Sequence, residues 1–183
     1  RNNMSIRDII FGIITVEGEY SNDPSDSGGA TRWVITEKVA RANGYTGDMR
    51  ELPTTVAYDI YYKQYVVLPK FDEVYKVSPQ ISEELVDTGV NMGISIASKF
   101  LQQALNALND GGTQYSDLVV DGVLGNRSIS SLQSFLARRG ANGTKVLLRA
   151  LNSLQCARYI SIAESTPKNE RFVYGWILNR VSI

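Results

Sequence analysis

Isoleucine occupies positions 6, 9, 10, 13 and 14, the three-and-four spacing of a single helix face. Ser5 just ahead and Asp8 three residues later form a capping-box-like start. Glu17 follows Ile14 by three residues and Ile13 by four, so it extends the same apolar stripe. An ionised carboxylate is costly on such a face, and its pKa is expected to rise. The stripe gives way to a polar, glycine-bearing run, Gly18 to Thr31, that holds further carboxylates.

The pattern beyond residue 31 is mostly helical. Thr36 caps a short helix over Glu37 to Asn43 that Gly44 stops. A third helix begins at Thr54 and runs through Tyr58, Ile60, Tyr61 and Tyr65. Ser78-Pro79 opens a fourth, with proline at the first helical position, which carries Ile81, Leu85, Val86, Gly89 and Val90 and ends near Met92-Gly93. The clearest period follows: Ala97, Phe100, Leu101, Ala104, Leu105 and Leu108 share one face before Asn109-Asp110-Gly111-Gly112. Asp121-Gly122 and Gly125 mark a turn before a helix over Ile129, Leu132, Phe135 and Leu136. Gly140 to Gly143 separate that from a long helix starting at Thr144, and a final amphipathic segment spans Phe172 to Val181. Strand pattern is confined to a short hairpin near residues 31–35, so the expected class is all-α.

Composition narrows the chemistry. The 183 residues contain no histidine and one cysteine. That excludes His-based triads, an intramolecular disulfide and Cys/His metal spacing. Acid–base work falls to Asp, Glu, Lys, Tyr or Cys, and no metal or organic cofactor is implied. Net charge is zero but unevenly spread: residues 1–137 carry net −6 and residues 138–183 net +6. The basic end is either a solvated face or a surface for an anionic polymer or membrane. No stretch approaches the roughly 20 apolar residues that cross a bilayer, so no stable membrane insertion is expected. No base-reading motif points to nucleic acid.

Glycoside hydrolysis needs a protonated carboxylic acid beside the leaving oxygen and, commonly, a second carboxylate across the bond. Glu17 is placed to be the acid. Asp26 and Asp23, in the polar loop, are expected to stay ionised, the environmental split that separates acid from base or stabiliser. Asp26 also suits plain turn chemistry beside Gly28-Gly29, and Thr31 is equally a loop hydroxyl or a water-positioning group. Tyr20 is the candidate sugar contact, whereas Tyr58, Tyr61, Tyr62 and Tyr65 read as packing residues. Asp87 and Asn91, one helical turn apart, either line a cleft or satisfy buried backbone groups. Cys156 reads as a small buried hydrophobe.

The run Glu17-Gly18-Glu19-Tyr20-Ser21-Asn22-Asp23-Pro24, with Asp26, Gly28-Gly29-Ala30-Thr31 and Ile35-Thr36, resembles the Glu-Gly-Gly-Tyr signature of glycoside hydrolase family 108. These are lysozyme-like muramidases found among phage endolysins and secretion activators. The likeness continues more loosely through residues 86–93 and 101–105. Residues 121–128 resemble the Asp-Gly-x-x-Gly turn of a peptidoglycan-binding-like region often fused to the family. Two departures stand out: Glu19 replaces the second signature glycine, and Val34 replaces the glycine before Ile-Thr.

The resemblance implies a lysozyme-like fold, with a catalytic region over 5–95 and a helical peptidoglycan-binding-like region over 96–183, packed as one unit. It implies cleavage between N-acetylmuramic acid and N-acetylglucosamine, with Glu17 as acid and Asp26 and Thr31 acting from the opposite face. A lytic transglycosylase using one Glu, and a non-catalytic peptidoglycan-binding or secretion-accessory module, are the alternatives. The expected partner is the peptidoglycan strand, met by a monomer. Without a signal peptide, the chain is expected to be made in the cytoplasm and to reach the wall by release or export.

Overall fold

The computed structural model describes residues 4–16, 20–24 and 28–181, with the backbone alone at Thr15 and Val16. The chain divides into two compact units, residues 4–68 and residues from 69 onward. The fold is all-α with one small hairpin, as the hydrophobic pattern predicts.

In the first unit, α1 (Ile6–Val16) packs on α3 (Thr54–Tyr62). The Ser5 hydroxyl accepts the Asp8 amide at 3.1 Å, satisfying one of the free donors of the first turn. Ile9, Ile10 and Ile14 are buried, so the isoleucine stripe is a core face. Each such side chain contributes about 1.5–3 kcal/mol. The Phe11 ring meets Tyr58 of α3 at 5.3 Å.

The expected single helix from Thr54 to Tyr65 instead changes winding. After Tyr62 the backbone enters a π turn over Lys63–Val67, closed by the Leu68 amide on the Lys63 carbonyl at 2.9 Å. The wider turn places Val66 in the interior. Between α1 and α3 lie the hairpin β1 (Thr31–Arg32) and β2 (Ile35–Thr36), then α2 (Glu37–Ala42). The Thr36 hydroxyl caps α2, accepting from the Val39 amide.

The second unit opens with α4 (Phe71–Val77), which the pattern did not predict. Seven residues are too few to display a period, yet Phe71 and Val74 are fully buried. Next come α5 (Pro79–Met92), α6 (Ile94–Ala107), α7 (Asn126–Ser165) and α8 (Glu170–Arg180). α5 packs on α4, α6 and α7, while α8 packs on α7. The Ser82 hydroxyl donates to the Phe71 carbonyl at 2.6 Å and ties α5 to α4.

Three amide side chains, two on α6 and one just past its end, hold the loop before α7. Gln102 donates to the Asp121 carboxylate at 3.0 Å and accepts the Asp121 and Gly122 amides at 3.1 and 3.0 Å. Asn106 exchanges two hydrogen bonds with the Leu118 backbone, and Asn109 donates to Asp117. Gly122 sits at φ 77° against Ser95, where an added Cβ would stand 2.4 Å from the hydroxyl oxygen. Asp121-Gly122 is thus the turn that the pattern suggests. The glycine break in α7 is narrower than expected: Gly140 alone leaves helical geometry (φ 60°, ψ −143°), and the helix resumes immediately instead of at Thr144.

Candidate functional site

The polar loop that follows α1 is tied back onto the hairpin. Ser21 and Thr31 form an antiparallel bridge, with the two amide-to-carbonyl bonds at 2.9 and 2.7 Å. The loop's far end is fixed by the N-terminus of α2. The Glu37 amide donates to the Ala30 carbonyl at 2.8 Å and the Lys38 amide to Gly28 at 3.2 Å. These are first-turn donors that have no partner inside the helix. Gly29, at φ 80°, brings the loop against Glu37, where a Cβ would lie 3.3 Å from the Glu37 Cβ.

The hairpin turn is Trp33-Val34, with φ at 54° and 63°. Positive φ at both central residues is the mark of a type I′ turn, which normally takes Asn or Gly. Valine is strained there by about 1–2 kcal/mol. Side-chain bonds hold the turn in place. The Trp33 indole N–H donates to the Leu52 carbonyl at 2.8 Å, and the Tyr61 hydroxyl donates to the Trp33 carbonyl at 2.6 Å. The Arg32 guanidinium lies 4.7 Å from the Trp33 ring, and its buried Nε has no hydrogen-bond partner among the described residues.

Of the residues expected at the site, Glu17 and Asp26 lie outside the described residues. Tyr20 and Thr31 are brought together through the Ser21–Thr31 bridge, both half-buried. The Arg50 guanidinium lies 5.7 Å from the Tyr20 ring centroid. Asp23 is exposed in the loop between the bridged residues. Asp87 and Asn91 belong to the other unit, both half-buried on α5. On the same helix, burial pushes the Glu83 carboxyl above its ordinary value. No group of three or more His, Cys, Asp or Glu suited to a metal ion occurs among the described residues.

Arg32, Arg50 and Tyr61 were not legible as site residues. Tyr61 follows the periodicity of a packing tyrosine, and its bond to Trp33 spans 28 positions. The one signal was the replacement of glycine by Val34, which marks a backbone position with special geometry.

A helical protein with a small hairpin, to which the polar loop is tied by Ser21 and to whose following helix α2 it is tied at Gly28 and Ala30, is matched by two sequence families. Residues 11–93 match the model of glycosyl hydrolase 108, and residues 96–181 match that of a predicted peptidoglycan domain. The protein is thus of the peptidoglycan-acting class. Within it, the chain carries a region of the glycosyl hydrolase 108 type, followed by the predicted peptidoglycan domain. Among solved structures it is similar to that of Brucella abortus SagA: TM-score 0.52, 20% identity, covering 94% of this chain and 92% of that one. That likeness is one of fold. No curated protein matches the sequence. No helix among the described residues is long and apolar enough to cross a membrane.

Proposed function

We propose that the protein is an N-acetylmuramidase, cleaving peptidoglycan between N-acetylmuramic acid and N-acetylglucosamine, with Glu17 as the general acid. The observation that carries this reading is the buried isoleucine face of α1, which ends immediately ahead of Glu17 within the glycosyl hydrolase 108 match. An acid that must be protonated near neutral pH benefits from an apolar approach of this kind.

In this reading Glu17 protonates the glycosidic oxygen as the bond breaks through an oxocarbenium-like state. Asp26, with Thr31, positions water or stabilises the developing charge from the other face. Tyr20 and Asp23 contact the glycan, and Asp87 and Asn91 are further candidate contacts from α5. The pinned loop supports a positioning role for Thr31, because its backbone is fixed on both sides by Ser21 and Thr36. Fixing a catalytic loop before substrate arrives lowers the cost of orienting it. The protein is proposed to act as a monomer on the cell wall.

Clearing of permeabilised Gram-negative cells, followed by turbidity, tests the reading. Wild type clears them and Glu17→Gln does not. Equal clearing by both proteins removes Glu17 from the mechanism, and no clearing by wild type removes the enzymatic reading.

A further inference from the structure

On α8 of the second unit, a row of aromatic rings runs between two arginines. Phe172 and Trp176 of α8 stack at 6.0 Å, and Trp176 meets Tyr159 of α7 at 5.3 Å. A guanidinium caps each end of this row. Arg171 lies 4.6 Å from the Phe172 ring, and Arg180 lies 5.8 Å from both Trp176 and Tyr159. The two arginines stand nine positions apart on the helix, about 13 Å along the axis.

These guanidiniums are oriented but not neutralised. Neither arginine makes an ion pair among the described residues. Among the described residues, the one hydrogen bond from Arg180 goes from Nη1 to the Tyr159 hydroxyl at 3.3 Å. A guanidinium lying over a ring keeps the N–H groups at its rim free to donate in a fork that matches a carboxylate. Beneath this row the polar interior is incompletely satisfied: fully buried Gln155 reaches the Tyr159 hydroxyl with its Nε2 at 3.5 Å, and its Oε1 has no partner among the described residues. Phe172 is 44% exposed and Arg171 is exposed, while Trp176 and Arg180 are half-buried and Tyr159 is buried beneath them, so the α8 side of the row is open to a ligand.

We propose that this row on α8 and α7 is a binding site for the carboxylates of peptidoglycan stem peptides, with Arg171 and Arg180 as the anion ligands and Phe172 and Trp176 as the apolar shelf between them. The inference rests on peptidoglycan being the polymer the protein acts on. Charge complementarity selects the occupant: residues 138–183 carry net +6, the N-acetylated sugars of the strand are uncharged, and the negative charge of the polymer lies mainly on its peptides. The site also falls within the match to the predicted peptidoglycan domain. It would hold the polymer by its peptides while the chemistry proceeds on its sugars.

The test is sedimentation with purified sacculi, using the full chain bearing Glu17→Gln so that the polymer stays intact. In that background, Arg171→Gln with Arg180→Gln is expected to bind at least about tenfold more weakly, the loss of two charge-assisted contacts. Sacculi whose carboxylates have been amidated should bind the parent protein equally weakly, and the double variant should lose nothing further on them. Arg171→Gln alone, at an exposed position, should lose part of the affinity and serves where the double variant folds poorly. Unchanged binding by these variants overturns the site. So does a loss on amidation that is the same for parent and variant, or arginine-dependent capture by anionic lipid vesicles in place of sacculi. If wild type clears cells while the variants bind normally, only this inference falls. If wild type neither binds nor clears, the muramidase reading falls with it.

Discussion

The Tyr61 hydroxyl donates to the Trp33 carbonyl at 2.6 Å, joining α3 to the tip of a hairpin 28 residues earlier in the chain. With the Trp33 indole bonded to Leu52, this holds a two-residue turn whose own sequence, Trp-Val, disfavours the geometry. Tertiary hydrogen bonds thus offset a local preference that runs the other way.

Tyr61→Phe removes the donor and leaves a part-buried carbonyl without it. Stability should fall by about 1–3 kcal/mol in denaturant unfolding. The amides of Ser21 and Thr31, which bond each other's carbonyls, should also exchange faster with solvent, because the hairpin loses its anchor. Unchanged exchange at these amides would show that the hairpin does not depend on Tyr61.

Val34→Gly should act in the opposite direction. The side chain is 46% exposed, so little burial is lost, while the strain of positive φ is relieved. A gain of about 1 kcal/mol corresponds to a Tm rise of roughly 2–4 °C for a chain of this size. A fall in Tm would mean that the Val34 side chain makes a contribution larger than its backbone strain.

The Asp121 carboxylate accepts hydrogen bonds from the Val123 amide and from Gln102, and these hold its pKa below the ordinary carboxylate value. A depressed folded-state pKa adds stability above the unfolded value that is lost as pH falls through the folded one. The acid side of the stability profile should therefore flatten in Asp121→Asn. Gln102→Ala should do the same and also free the loop before α7, raising proteolysis between residues 112 and 123. An unaltered acid limb in both variants would contradict this account.

Much of this fold was legible from apolar spacing. The stripes of α1, α5 and α6 are long enough to show a period, and each packs as the spacing implies. α4 is too short to do so, and the π turn after Tyr62 keeps the composition of an ordinary helix while adding a residue to one turn. The candidate site was legible as a motif, in the run from Glu17 to Thr36. Its supports were not, because Tyr61, Leu52 and the α2 amides reach the hairpin loop through contacts that no local pattern encodes. Trp33-Val34 is the instructive position. A residue that breaks the family's glycine marks the geometry, although the sequence does not say what stabilises it.

The most direct test of the central claim is mass spectrometry of the fragments released from purified sacculi by wild type and by Glu17→Gln. The account predicts fragments ending in reducing N-acetylmuramic acid from wild type, and a loss of at least about a hundredfold in their rate of release on removing the acid. Anhydro-muramic ends, or reducing ends released at the same rate by Glu17→Gln, would contradict it.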